Sequence, residues 1–248
     1  PVFDKIYSPD KELVPGKHHF VVWFNLFAPY SYTPVVENQY ILGEMLFNLD
    51  VPVPPIVEHS MTRLPVSLYG YREESIALNG NTVVIPVVQN SNKINVNVYG
   101  LTPTQDEYRF SIQDNNGTYT CYNVFATCGT FEYVEWVTFP QMSPNKQNVS
   151  SAVSEETSLL SASFNVLKLA ADRPNPELII SNNSTGEQLF PREGYTNNLI
   201  QMILAADAKN DFDKTHVYNI DITFGGNPDI TIKVNGWNAS ESNVEIVP

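Results

Sequence analysis

The chain has little cysteine and little positive charge. Two cysteines, Cys121 and Cys128, occur in 248 residues, which excludes a disulfide-dense scaffold and leaves no set of paired cysteines and histidines for a four-ligand zinc site. Lys and Arg number 14 against 27 Asp and Glu, a formal charge of -13, and a surface of that sign repels phosphate backbones and anionic headgroups. Nucleic acid is therefore not an expected partner. No apolar run is long enough for a membrane-spanning helix, and no cationic stretch precedes an apolar one near Pro1, so no signal peptide is read at this end. Charged residues make up only 17% against 42% hydrophobic, which excludes a highly charged disordered chain. The length suits one large domain or two modest ones.

Catalytic signatures are also missing. The sequence contains no Gly-rich phosphate loop, no Gly-x-Ser-x-Gly elbow and no His-Glu-x-x-His helix. Glu73-Glu74 and Glu155-Glu156 are adjacent, and neighbours on a strand point to opposite faces, so neither pair suits a general acid and base on one substrate. His18-His19 has no second ligand pair nearby, and His59 and His216 stand alone, so neither metal nor cofactor is expected. A hydrolase whose Ser, His and Asp converge only in space stays open as an alternative. Asn116, Asn148, Asn182, Asn183 and Asn238 open Asn-x-Ser/Thr triplets, which a chain rich in Asn and Ser produces by chance.

What the sequence does have is period two. His19 to Phe24 is an apolar run of strand length. Ile94, Val96 and Val98 alternate with Asn95, Asn97 and Tyr99, as Tyr108, Phe110 and Ile112 do with Arg109, Ser111 and Gln113. Ala162, Phe164 and Val166, then Tyr218, Ile220, Ile222 and Phe224, then Ile230, Ile232 and Val234 repeat the pattern, and Leu178 to Ile180 is a short buried run. Asp114-Asn115-Asn116-Gly117 predicts a tight hairpin after the Tyr108 strand, with Tyr119 and Cys121 returning on the face of Ile112. Leu199, Ile200, Ile203 and Leu204 have helical spacing after Thr196, a predicted N-cap. The 18 prolines punctuate the strands. The fold expected is mainly β with one short helix. Asn90-Ser91-Asn92 breaks an apolar run and sets a predicted boundary near 92, dividing the chain into domains 1–92 and 93–248, with one long strand or two collinear ones passing there.

Cys121 and Cys128 either close a short disulfide loop or remain buried thiols. Tyr and Phe, 13 of each, pack in strands or present sugar-stacking rings, so a glycan-binding β-sandwich is a further alternative. Trp237 is expected in the core, anchoring the last strand. In the tail that follows, Asn243, Val244, Glu245, Ile246 and Val247 form an extended segment with Val244 and Ile246 on one face. It reads as a frayed end, or as a strand for pairing with another chain.

Several stretches, in order, resemble one known family. Val-Phe-Asp at 2–4, His-Phe-Val-Val-Trp-Phe-Asn at 19–25, Pro-Val-Ser-Leu-Tyr-Gly at 65–70 and Asn-Lys-Ile-Asn-Val-Asn-Val-Tyr-Gly-Leu at 92–101 are similar to the fimbrial anchor subunits of Bacteroidota type V pili. Leu178 to Glu187, the helix at 197–208, Tyr218 to Phe224 and Ile232 to Trp237 continue the resemblance over nearly the whole chain. It implies two transthyretin-like antiparallel β-sandwiches in tandem and no catalysis. It also implies a lipidated Cys and a further strand upstream of residue 1, an outer-membrane location at the pilus base, and stalk pilins as partners. A tip or stalk pilin is the alternative within the same implication. Assembly in this family is understood as strand exchange, in which main-chain hydrogen bonds give affinity and alternate side chains give register.

Overall fold

A computed structural model of the protein describes residues 13–25, 29–33, 44–50, 56–58, 64–78, 82–126, 128–140, 159–173, 176–225 and 230–239. In chain order the strands are β1 (Gly16–Phe24), β2 (Tyr30–Tyr32), β3 (Leu46–Leu49), β4 (Ile56–Glu58), β5 (Leu68–Ile76), β6 (Val87–Gln89), β7 (Ser91–Tyr99), β8 (Glu107–Asp114), β9 (Thr118–Thr120), β10 (Phe125–Ala126), β11 (Phe131–Thr138), β12 (Leu160–Leu167), β13 (Glu177–Asn182) and β14 (Gln188–Phe190). Helix α1 (Leu199–Ala206), β15 (Val217–Phe224), β16 (Ile230–Val234) and β17 (Trp237–Asn238) complete the order. The protein is mostly β, as its periodicity predicts.

Two five-stranded sheets, β12-β7-β15-β16-β17 and β14-β13-β8-β11-β4, hold most of the core. Their period-two residues point inward. Ile94, Val96, Val98, Phe164, Ile220 and Ile222 from the first sheet join Phe110, Ile112, Tyr133, Leu178 and Ile180 from the second in one hydrophobic cluster, each fully buried. On the outer face of the first sheet the alternate residues form a one-way hydrogen-bond chain. Ser163 donates to Asn95 Oδ1 (2.8 Å), and Asn95 Nδ2 donates to Asn219 Oδ1 (2.8 Å). One row along, Ser161 donates to Asn97 and Asn97 to Asp221 (2.9 Å). These pairs offset the low strand preference of Asn and Asp.

β15 runs parallel to β7, and β4 parallel to β11; the other ladders are antiparallel. Helix α1 bridges the two large sheets at one margin. Its entry is tied to the start of β13 by Leu199 N donating to Pro176 O and Leu178 N to Asn197 O (both 2.8 Å), and its apolar face lies toward β16 and β17. The N-cap is Asn198, whose side chain accepts from Gln201 N (3.0 Å), and not the predicted Thr196. Thr196 stands two residues before the cap, where its hydroxyl accepts from Asn198 N and donates to Gln201 Oε1.

A three-stranded sheet, β1-β5-β6, comes wholly from residues before Asn90, and the β7 sheet wholly from residues after it. A four-stranded sheet, β10-β9-β3-β2, joins segments from both sides, as does the parallel pairing of β4 with β11. At Asn90 the chain passes directly from β6 to β7. The Asn90 backbone exchanges with Ser67, accepting from its hydroxyl (3.1 Å) and donating to its carbonyl (2.8 Å), while the buried Asn90 amide has no hydrogen-bond partner among the described residues.

The predicted hairpin at 114–117 is corrected. β8 already has β11 and β13 on its two edges, so the chain cannot fold back beside it and crosses to the four-stranded sheet, where β9 pairs with β3 and β10. Tyr119 and Cys121 therefore do not share the face of Ile112. Asn116 is buried and accepts from the Tyr133 hydroxyl (3.2 Å), and a Cβ at Gly117 would lie 3.2 Å from the Phe131 ring. The Asn-Gly pair answers to close packing here and not to turn geometry.

Candidate assembly surface

The C-terminal margin of the β7 sheet is built by a two-residue turn. Asn235 (φ 50°) and Gly236 (φ 84°) both adopt the left-handed conformation that such a hairpin needs. Asn235 Oδ1 also accepts from Asn219 N (2.8 Å). Trp237 then pairs with Val234, and Ala239 N donates to Ile232 O (2.8 Å), so the chain is still in the ladder at Ala239. The candidate segment Asn243 to Val247 lies outside the described residues.

Trp237 is 68% exposed, a correction to its predicted place in the core. It shares the inward face of Val234, but β17 is the outermost strand of its sheet among the described residues, and α1, though it contacts β17, leaves most of the indole uncovered. Beside the indole is a hollow of about 120 Å³ with Ile203 and Val234 as its floor, Ala206 and Trp237 as walls and Asp207, Asn210, Thr215 and Asn235 around it. Among the described residues β17 is hydrogen-bonded on its β16 side alone.

Sequence reasoning missed the aromatic assembly between the β1 sheet and the β9 sheet. Trp23 stacks on Phe47 (centroids 4.6 Å apart) and tilts against Tyr69 (5.0 Å), while the Arg173 guanidinium lies over Tyr119 (4.9 Å) and Phe125 (4.2 Å). The signal available was the alternation of His19, Val21 and Trp23 opposite Glu73, Tyr71 and Tyr69. Nearer the surface Tyr71 meets Tyr122 edge-on at 5.5 Å and hydrogen-bonds His19 Nδ1 (2.7 Å).

Cys121 and Cys128 are both free thiols, so the bridge that their spacing allows is not formed. The Cys128 sulfur accepts from Gly117 N (3.1 Å) and donates to Asn115 O, an alternative use of the group, and burial pushes both thiols up. Asp114 lies close by and is only 4% exposed; burial pushes its carboxyl up to about 7 against the weaker pull of the Asn115 amide and Arg173.

Several other titratable groups are ion-paired. Glu73 takes Lys17 (2.8 Å), which holds its carboxyl below the ordinary range, and Glu74 takes Arg72 (2.9 Å). In an open hollow lined by Lys168, Asp172, Asp211, Phe212 and Asp213, Asp213 is tied to Lys168 (2.5 Å) and Asp211 to Lys214 (2.7 Å). Hydrogen bonding from Lys214 lowers Asp211, the opposite of what a general acid requires. No cluster of three or more His, Cys, Asp or Glu suited to a metal occurs among the described residues, and no helix there is long and apolar enough to cross a membrane.

Residues 3–243 match the sequence profile of the fimbrillin-A associated anchor proteins Mfa1 and Mfa2. The chain belongs to that family. Solved structures agree on the fold. The fimbrial anchor protein Mfa2 from Porphyromonas gingivalis is similar over 94% of this chain and 81% of its own, at 16% identity and a TM-score of 0.63. A candidate adhesin from Bacteroides thetaiotaomicron VPI-5482 is similar over 95% and 80%, at 16% identity and a TM-score of 0.69. A candidate polysaccharide-binding protein from the same organism is similar over 92% and 77%, at 18% identity and 0.68. No curated protein matches the chain. This is a family of fimbrial structural proteins, and its members' place is with surface fimbriae.

Proposed function

We propose that the protein is the anchor of a type V pilus and holds the stalk pilin by β-strand complementation through its C-terminal segment, Asn243 to Val247. The observation that carries this reading is the exit of the chain at the margin of the β7 sheet, where β17 is paired on one side alone among the described residues. Ala239 is still bonded in strand geometry, four residues before an alternating segment whose Val244 and Ile246 share a face. A pilin groove that took both would gain roughly 1.5–3 kcal/mol for each buried side chain beyond the ladder hydrogen bonds. Family membership supports the anchor role over a tip or stalk pilin. On this reading a lipid upstream of residue 1 holds the protein in the outer membrane. The chain is organised as two transthyretin-like sandwiches meeting near residue 92, a division supported by sheets that lie wholly on one side of Asn90. Removal of residues 240–248 is expected to abolish capture of the recombinant stalk pilin while the melting temperature stays unchanged. Full capture by the folded truncation would exclude the tail. Lipid labelling of the full-length precursor tests the membrane attachment separately.

A second reading, saccharide binding, is favoured by the Tyr71 and Tyr122 rings beside His19 and Glu73 at the surface, and by the similarity to a candidate polysaccharide-binding protein. A glycan array decides it: binding lost in Tyr122→Ala would support it, and a silent array would remove it.

A further inference from the structure

The hollow beside Trp237 has an apolar floor and a polar rim at a sheet edge that is unpaired among the described residues, the anatomy of a small docking pocket. A cavity of about 150 Å³ takes a benzene ring, so a hollow of about 120 Å³ suits one side chain smaller than that, a branched aliphatic one. Ile203 and Val234 beneath it are already fixed, at 1% and 2% exposure, by the packing of α1 on β16. Trp237 is held by the Asn235-Gly236 turn with most of its surface in water. Trp is among the residues that dominate interface energies when they become desolvated.

Among the described residues nothing pairs with the outer edge of β17 beside this hollow, and such an edge can accept a strand. Since Ala239 N bonds to Ile232 O, the alternation of an antiparallel ladder aims the N–H and C=O of Asn238 away from β16, toward the open side. A strand added there would place every second side chain on the face that carries Trp237 and the hollow. The occupant follows from reach. Asn243 is four residues beyond Ala239, so a partner bound to Asn243 to Val247 begins within about 14 Å of Ala239.

We propose that this hollow is a docking pocket for the stalk pilin: one apolar side chain, on a segment that the pilin adds to the edge of β17, enters between α1 and Trp237. The inference rests on the reading of the C-terminal margin as the pilin contact, and it adds a pocket on the folded body of the anchor. Binding then has two parts, a tail that pairs and a pocket that sets register.

The test measures the affinity of the full chain for recombinant stalk pilin with Trp237→Ala and, separately, Ala206→Arg, which fills the hollow from α1. Both are expected to weaken binding at least tenfold while the melting temperature stays within a few degrees. Pilin addition should shift indole emission to shorter wavelength in the unmodified protein and much less in Trp237→Phe. Unchanged affinity in both variants, with binding still lost on removal of 240–248, would overturn the pocket and leave the tail reading intact. Absence of pilin binding by the unmodified chain would overturn both. Should Trp237→Ala unfold, Ala206→Arg alone decides.

Discussion

Asp114 is a buried carboxylate whose titration falls within the working pH range. Its carboxyl lies among Tyr119 from β9, Tyr133 from β11, Cys128 and the half-buried Arg173, and burial raises it from 3.8 to about 7. A group raised in the folded state binds a proton that the unfolded chain releases, so its contribution to stability is present at low pH. That contribution is lost as pH rises from about 4 through about 7, with a magnitude on the order of 4 kcal/mol. Asp114→Asn keeps an acceptor for the Asn115 amide and removes the charge. Urea midpoints of this variant are expected to match the unmodified protein most closely below about pH 4 and to exceed it increasingly up to pH 8. Equal pH slopes for the two proteins would show that the carboxyl is not the group responsible. The Arg173 Nη1 and the Tyr30 and Tyr119 hydroxyls, buried without hydrogen-bond partners among the described residues, mark the same place as one where packing has overridden polar satisfaction.

Single elements separate what a chain states locally from what its neighbours decide. Helix α1 is local: its four buried residues have helical spacing, and its cap is an Asn beside the first turn. Asn198→Ala is expected to cost about 1 kcal/mol in chemical denaturation, because one amide of the first turn then loses its acceptor. An effect below about 0.3 kcal/mol would mean that the ties to Pro176 and Asn197 hold the helix alone. β7, β8, β12, β15 and β16 were legible for the same local reason, since one buried face imposes period two on each. The Asn-Gly at 116–117 and Trp237 misled because their surroundings are set at a distance. The first depends on which strands already flank β8, and the second on how far α1 extends over a sheet margin. The aromatic contacts of Trp23 with Phe47 and Tyr119 join segments up to 96 residues apart in number, and nothing in either segment alone announces the pairing.

Across the whole molecule, burial is uneven. β7, β12 and β15 carry alternate residues at 0–6% exposure, whereas β1 has no fully buried residue and its inward Trp23 is only partly buried. Local opening follows buried apolar contact. Amide hydrogen exchange is therefore expected to be slowest in β7, β8, β13 and β15 and faster by at least tenfold in β1 and β5. Equal protection would indicate that the β1 sheet and the large core open as one unit.

The parallel pairing of β7 with β15 sets how this molecule bears a load. β15 and β16 are antiparallel, as are β16 and β17, so β17 runs in the same direction as β7. The chain enters this sheet at Ser91 and leaves it at Ala239, which is level with Val98 through Ile232 and Ile222. Entry and exit are thus seven residues apart along the strand axis, about 23 Å at about 3.3 Å per residue. Tension between the β6 side and the C-terminal exit pulls the first and last of these strands lengthwise in opposite directions. The ladders between them are strained in shear, with their hydrogen bonds resisting together. Had β17 run the other way, both points of attachment would lie at one end, and the same pull would open the bonds one after another like a zip.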